Sequence, residues 1–158
     1  KRQSASYYDL IGQPDNSATT PTGKRGEYIS ATTSSANKIG LTTNTAADIS
    51  TISLTAGDWD VWGNVWFDGN AATTVNYIAA SVNTTSATIG SDLGAQGATA
   101  YIGGLVFTVT DVSQPAGPTR IQLSSTTTIY LVAKAVFGVN TMAAFGTIQA
   151  RRRRDFPG

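Results

Sequence analysis

Neither cysteine nor histidine occurs in this 158-residue chain. Without cysteine there is no disulfide, no thiolate metal site and no cysteine nucleophile. Without histidine the commonest general base, the Ser–His pairing and the commonest transition-metal ligand are all missing. Catalysis would have to run on carboxylates, Lys or Tyr, so the sequence reads as a non-enzyme with no cofactor. Charge is scarce as well. Asp, Glu, Lys and Arg make up 13% of the residues, against roughly 25% in an average soluble domain. Thr, Ser, Ala, Gly and Asn fill the gap, and a surface so short of charge favours association over a solitary monomer. The net charge of +1 does not point to nucleic acid as a partner. No apolar run approaches the roughly 18–20 residues that cross a bilayer, so no membrane-spanning segment is expected. Lys1 to Ser4 carries charge with no hydrophobic core behind it, which does not read as a secretory leader. Lacking an initial Met, the chain reads as a processed product or a piece of a longer one.

What is present is a globular composition, 41% apolar, long enough for one domain that buries roughly 68–70% of its unfolded surface. Residues 1–23 are polar and punctuated by Gly12, Pro14, Pro21 and Gly23, with apolar weight only at Tyr7 to Ile11. They read as an N-terminal arm or linker. Residues 24–154 read as the head domain and 155–158 as a C-terminal tail.

From Tyr28 onward the pattern is strand after strand. Ile49 to Leu54 leads through a turn at Thr55-Ala56-Gly57 into Asp58 to Phe67. There Trp59, Val61, Gly63, Val65 and Phe67 share one face at strict period two, while Asp58, Asp60, Trp62, Asn64 and Trp66 share the other. Thr74 to Val82 and Thr99 to Thr110 are further strands, the second with a Gly103-Gly104 doublet that suggests a bulge. Asp111 to Pro118 reads as a Pro- and Gly-rich loop before a short strand at Arg120 to Ser124. Thr128 to Phe137 and Thr141 to Ala150 read as a hairpin through Gly138-Val139-Asn140. No segment has sustained helical periodicity, so the class is all-β, a sandwich or barrel of eight or more strands. In the last two strands both faces are coverable by protein. One face then packs in the sandwich and the other against neighbouring subunits.

Three runs resemble the distal heads of tailed-bacteriophage needles and fibres: Ile52 to Phe67, Thr126 to Phe137, and Phe145 to Arg152. The likeness spans roughly Tyr28 to Arg154. It implies a tumour-necrosis-factor-like jelly-roll sandwich that is a homotrimer. It also implies a non-enzymatic virion protein, the head of a tail needle or tail fibre, acting in host-surface attachment or penetration. Other phage tail or virion proteins and a host cell-surface glycan are its implied partners. The alternatives are a capsid decoration or fibre head with a purely structural role, and a glycan-cleaving tailspike-like enzyme. Neither a heptad stalk nor a triple β-helix repeat is visible in Lys1 to Gly23. Receptor contacts would fall on the connections at 68–73, 84–97 and 111–119.

Two groups of residues carry the candidate chemistry. Trp62 and Trp66, on the polar side of their strand, either pack under a loop or the N-terminal arm, or form an aromatic contact surface able to meet a partner or stack on sugar rings. Arg151, Arg152 and Arg153, with Arg154, form the only charge run. Alternation sends Arg151 and Arg153 one way and Arg152 and Arg154 the other. The expectation is that the run meets Glu27, Asp58, Asp60 or Asp155 across a subunit boundary near the trimer axis, or binds an anion. Asp58 and Asp60 could in principle form a glycosidase pair, which needs a cleft and roughly 5–5.5 or 6.5–9.5 Å between carboxyls. With Asp68 and Asn70 they could hold calcium, but partners for Arg or Lys fit them better. Lys24 to Glu27 reads as a solvated loop, and Asn83-Thr84-Thr85 is formally a glycosylation sequon.

Overall fold

The computed structural model describes residue 20 and residues 22–70, 72–90, 99–106 and 111–154, with the stretch 99–106 described by its backbone alone. The described residues form nine strands: β1 (Tyr28–Thr33), β2 (Ile39–Leu41), β3 (Ala46–Leu54), β4 (Gly57–Gly69), β5 (Thr74–Asn83), β6 (Thr99–Val106), β7 (Asp111–Leu123), β8 (Thr127–Gly138) and β9 (Met142–Arg154). A single 3-10 turn, Ser35–Asn37, separates β1 from β2. Most of the N-terminal arm, the Tyr7 to Ile11 patch, residues 91–97 of one expected contact loop, Phe107 to Thr110 and the tail with Asp155 lie outside the described residues.

Two antiparallel sheets face each other. The first runs β1-β9-β4-β7 with β2 also paired to β9, and the second runs β3-β8-β5-β6. The pairing is nested: β1 with β9, β3 with β8, β4 with β7 and β5 with β6. With the short β2 set aside, a ribbon folded so that first meets last and the next strand meets the penultimate, with alternate pairs in opposite sheets, is the jelly roll. The all-β sandwich expected from the sequence is therefore the fold.

Period-two alternation builds the core. Trp59, Val61, Val65 and Phe67 on β4 are fully buried. Facing them across the sandwich are Ile129, Leu131, Ala133 and Ala135 of β8 with Val75, Ile78, Ala80 and Val82 of β5. On β9, Met142, Ala144, Ile148 and Ala150 point inward at every second position. Gly63 leaves the room that the Leu131 side chain of the facing sheet occupies. A Cβ there would stand 2.7 Å from Leu131 Cδ1 and 2.8 Å from the Thr147 carbonyl oxygen.

The structure corrects three sequence expectations. Thr128 to Phe137 and Thr141 to Ala150 are not a hairpin, because β8 belongs to the second sheet and β9 to the first. Val139 and Asn140, both at positive φ, turn the chain from one sheet to the other, and turn residues alone do not say whether the flanking strands pair. Asp111 to Pro118 is the first half of a continuous 13-residue strand, not a loop. β7 is the edge of its sheet, where a missing N–H is tolerated. It accommodates one extra residue between Ala116 and Thr119, where its register against β4 shifts. Residues 111–119 are thus an edge strand, not a contact loop. Finally β9 does not stop at Ala150 but carries the arginines as strand residues to Arg154. The Gly103-Gly104 doublet sits where β6 has one residue more than β5, between Ile102 and Leu105.

Trp59→Ala removes the largest fully buried side chain among the described residues and is expected to cost about 3–5 kcal/mol. Equilibrium denaturation of the two proteins measures it, and unchanged stability would mean that β4 does not pack as described.

Candidate functional site

The candidate residues converge at one end of the first sheet, where β9 and β4 finish their shared ladder. Along β9 the inward series Met142, Ala144, Gly146, Ile148, Ala150 continues to Arg152. Its side chain is therefore directed into the sandwich, beside Trp59 in register. Arg152 is 1% exposed, and burying a guanidinium costs several kcal/mol unless its donors are matched. They are matched. Its Nε donates to Glu27 Oε2 at 2.8 Å, one Nη donates to the Ala56 carbonyl at 2.8 Å, and the other donates to Thr55 Oγ1. The guanidinium carbon lies 4.2 Å from the centre of the Trp59 ring, a cation–π contact. Trp59 in turn donates its indole N–H to the Thr55 carbonyl at 2.9 Å.

Glu27 is also buried, and the same Oε2 accepts the Gly23 N–H at 2.8 Å. The main chain of Arg152 is bonded to both Gly26 and Glu27, its N–H donating to Glu27 O at 2.9 Å and its carbonyl accepting the Gly26 N–H at 3.0 Å. The segment expected as a solvated loop at Lys24 to Glu27 is thus anchored at its last residue. Gly57, at φ +146, leaves the space: a Cβ there would run into the Arg152 guanidinium.

Arg120, Arg153 and Arg154 face outward and meet two of the acids that the sequence suggested, within one chain. Arg120 on β7 grips Asp58 with two N–H groups, each at 2.7 Å. Arg154 approaches the same carboxylate at 3.8 Å, and Arg153 pairs with Asp60 at 3.3 Å. One extra residue in β9, between Arg152 and Arg154, breaks strict alternation and brings Arg154 opposite Asp58. Arg151 is exposed and lies in register between Tyr28 on β1 and Asp60 on β4. The Arg120 hydrogen bonds hold the Asp58 carboxyl below the usual carboxylate range. Burial opposes this, and the charges of Arg120, Arg153 and Arg154 reinforce it. Arg120 is raised in return, mainly through its hydrogen bond to Asp58. Asp68 pairs with Lys38. Among the described residues no group of three or more Asp and Glu is placed to hold a metal ion.

Further along the same outer face, Trp66 is 41% exposed and stacks on Phe145 of β9, rings nearly parallel with centroids 6.3 Å apart. With its amide turned to suit its neighbours, Asn64 accepts the Trp66 indole N–H at 3.2 Å and donates to the Gln114 carbonyl at 3.1 Å. Trp62 lies opposite Gln149 and is half-buried. Its neighbours on this face across β9 and β1 are Thr147, Ser30 and Thr32. The sheet thus presents a band of aromatic, amide and hydroxyl groups that ends in a charged row.

Fold and site together define a single jelly-roll sandwich with an aromatic-polar outer face and an arginine-rich end. No family model matches the chain, and no curated protein matches it. Among solved structures it is similar to one described as the crystal structure of infectious bursal disease virus VP2 subviral particle. That match has 14% identity and a TM-score of 0.42, and covers 84% of this chain and 31% of that one. The chain thus spans about a third of the length of the structure it matches.

Two predictions follow from the charge arrangement. Glu27→Ala leaves Arg152 buried without its carboxylate and is expected to cost about 3–5 kcal/mol. Adding Arg152→Met to it should recover part of that loss, as a denaturation cycle would show. Because the Asp58 value is depressed on folding, its contribution is complete above the unfolded value of about 3.9 and is lost as pH falls through the folded one. Stability should therefore fall below about pH 4, and Asp58→Asn should flatten that part of the profile.

Proposed function

We propose that this chain is the homotrimeric, tumour-necrosis-factor-like head of a viral particle, on the needle or fibre of a tailed phage, where it serves attachment to or penetration of the host surface. The head comprises residues 24–154, with 1–23 as arm and 155–158 as tail. The observation that carries the reading is the outer face of the first sheet. Tyr28, Trp62, Trp66 and Phe145 lie there among Thr, Ser, Gln and Asn, with charge confined to the ends of the strands. A face of this composition matches the partly apolar, charge-poor core of a protein interface. Cover by other copies of the chain removes the aromatic area from water. The three runs that resemble phage heads also support it, since they fall on β3–β4, β8 and β9, which include both central strands of the first sheet and one of the second.

The same features support a role without chemistry. The acidic pair considered for glycoside cleavage is committed to arginines, Asp58 to Arg120 and Asp60 to Arg153. Shape, multivalency and stability then do the work, since three weak sites on one rigid head raise avidity without one tight site. A capsid decoration without a receptor is the second reading, favoured by the same associative face.

Light scattering should give about three times 16.4 kDa. Trp66→Lys combined with Phe145→Lys should shift the mass to that of the monomer while leaving the fold intact. A wild-type monomer at micromolar concentration would overturn the trimer. Saturable binding of the labelled trimer to bacterial cells, competed by their surface polysaccharide, supports attachment. A trimer that binds no cell leaves the decoration reading, and new reducing ends from the polysaccharide would reveal an enzyme.

A further inference from the structure

Between the turn before β1 and the end of β9 lies an open cleft of about 510 Å³, lined by Arg25, Gly26, Asp60 and Arg151 to Arg154. Among the described residues of the strands its charges do not balance. Arg152 is spent on Glu27 inside the sandwich. Outside, the four guanidinium groups borne by β7 and β9, Arg120, Arg151, Arg153 and Arg154, share two carboxylates among the described residues, Asp58 and Asp60. Asp58 already takes both donors of Arg120, so Arg154 reaches it only at 3.8 Å. Asp60 takes a single contact from Arg153 at 3.3 Å. Arg151 lines the cleft with no acid within ion-pairing distance among the described residues. Three strand-borne guanidinium groups, held by the β9 ladder around one weakly engaged carboxylate, form a fixed excess of donors.

We propose that this cleft binds an oxyanion, a carboxylate, sulfate or phosphate group, held by Arg151 and Arg153. The chemistry is charge-assisted hydrogen bonding, for which guanidinium suits because its planar fork matches two oxygens of one anion. The ladder fixes the backbone at both positions, so less ordering is left for binding than in a flexible tail. The cleft's volume admits a group of monosaccharide size, and Tyr28, 54% exposed and in register with Arg151, offers a ring beside it. A free inorganic anion and an acidic group carried on a sugar present the same chemistry. Occupation of the cleft does not depend on whether the protein attaches to cells.

Titration of the full chain with inorganic phosphate, with a small hexuronate oligomer and with a neutral oligomer of equal length, followed by calorimetry and amide NMR shifts, tests the proposal. Either anionic probe should bind saturably, shift the amides of residues 25–26 and 151–154, and weaken as salt is added. Arg151→Gln should weaken it about tenfold, the loss of one charge-assisted bond, without changing the melting temperature. Binding of the hexuronate well above that of phosphate assigns the anion to a glycan, whereas equal binding assigns it to free oxyanions. Overturning results are failure of both anions to bind at millimolar concentration, equal binding of the neutral oligomer, or binding unaffected by Arg151→Gln combined with Arg153→Gln. Cell binding by the double variant is read separately, so loss of attachment and loss of the anion site stay distinguishable.

Discussion

The buried guanidinium of Arg152 is the constraint around which this end of the sandwich is arranged. Among the described residues it is the largest fully buried side chain after Trp59, on which it lies. Its environment supplies a carboxylate, a backbone carbonyl, a hydroxyl and an aromatic face. These partners come from three stretches that the jelly roll brings to the last strand: the segment before β1, the corner between β3 and β4, and the start of β4. A hydrophobic residue at position 152 could fill the space, but it would leave Glu27 buried without its cation. The pair therefore specifies how the N-terminal segment docks more than it adds to stability. Gly57 is part of the same arrangement, since any side chain there would displace the guanidinium.

Period two then separates two jobs along one strand. Ala150 and Arg152 face the core while Arg151 and Arg153 face solvent. The outward pair consequently stands on the same rigid ladder that the inward residue anchors. Inside, the charge is neutralised by a partner fixed in the fold; outside, the charges are paired loosely and accessibly, where salt and solvent weaken them. Structural and surface electrostatics at this end differ by burial alone, within four consecutive residues of one type.

How much of this was legible in the sequence depended on which physical signal each residue left. Asp58 to Phe67 was plain, because alternation of apolar and polar faces over ten positions has no helical reading. Edge position is not written in composition, and so the prolines of β7 read as a loop although Pro115 and Pro118 sit where a lost N–H is tolerated. The corner at Gly138 to Asn140 read as a hairpin because sheet membership is a long-range property that its turn residues do not encode. Arg152 shows a signal that was present but outweighed. Continuing the period-two series from Met142 places it inward, yet its charge and its three like neighbours argued for a solvated or interfacial run. Glu27 was among the acids offered to the arginine run, but nothing beside Lys24 and Arg25 marked it as the buried one or singled out Arg152, 125 positions away, as its partner.

The outer face of the first sheet carries two kinds of surface with different physics. The band from Trp66 and Phe145 to Trp62 is aromatic and nearly uncharged, so association through it draws on burial of apolar area and is little affected by ionic strength. The row at Tyr28, Arg151, Asp60 and Arg120 is charged, so whatever it contributes is screened as salt rises. Both lie on the same strands, a few residues apart. Copies brought together through the aromatic band would carry their arginine rows with them, and the positive excess of each row would then add to that of its neighbours. If both proposals hold, self-association through the band and anion binding at the row would be linked in sign: an oxyanion that offsets the excess would favour assembly, and assembly would raise the local affinity for the oxyanion.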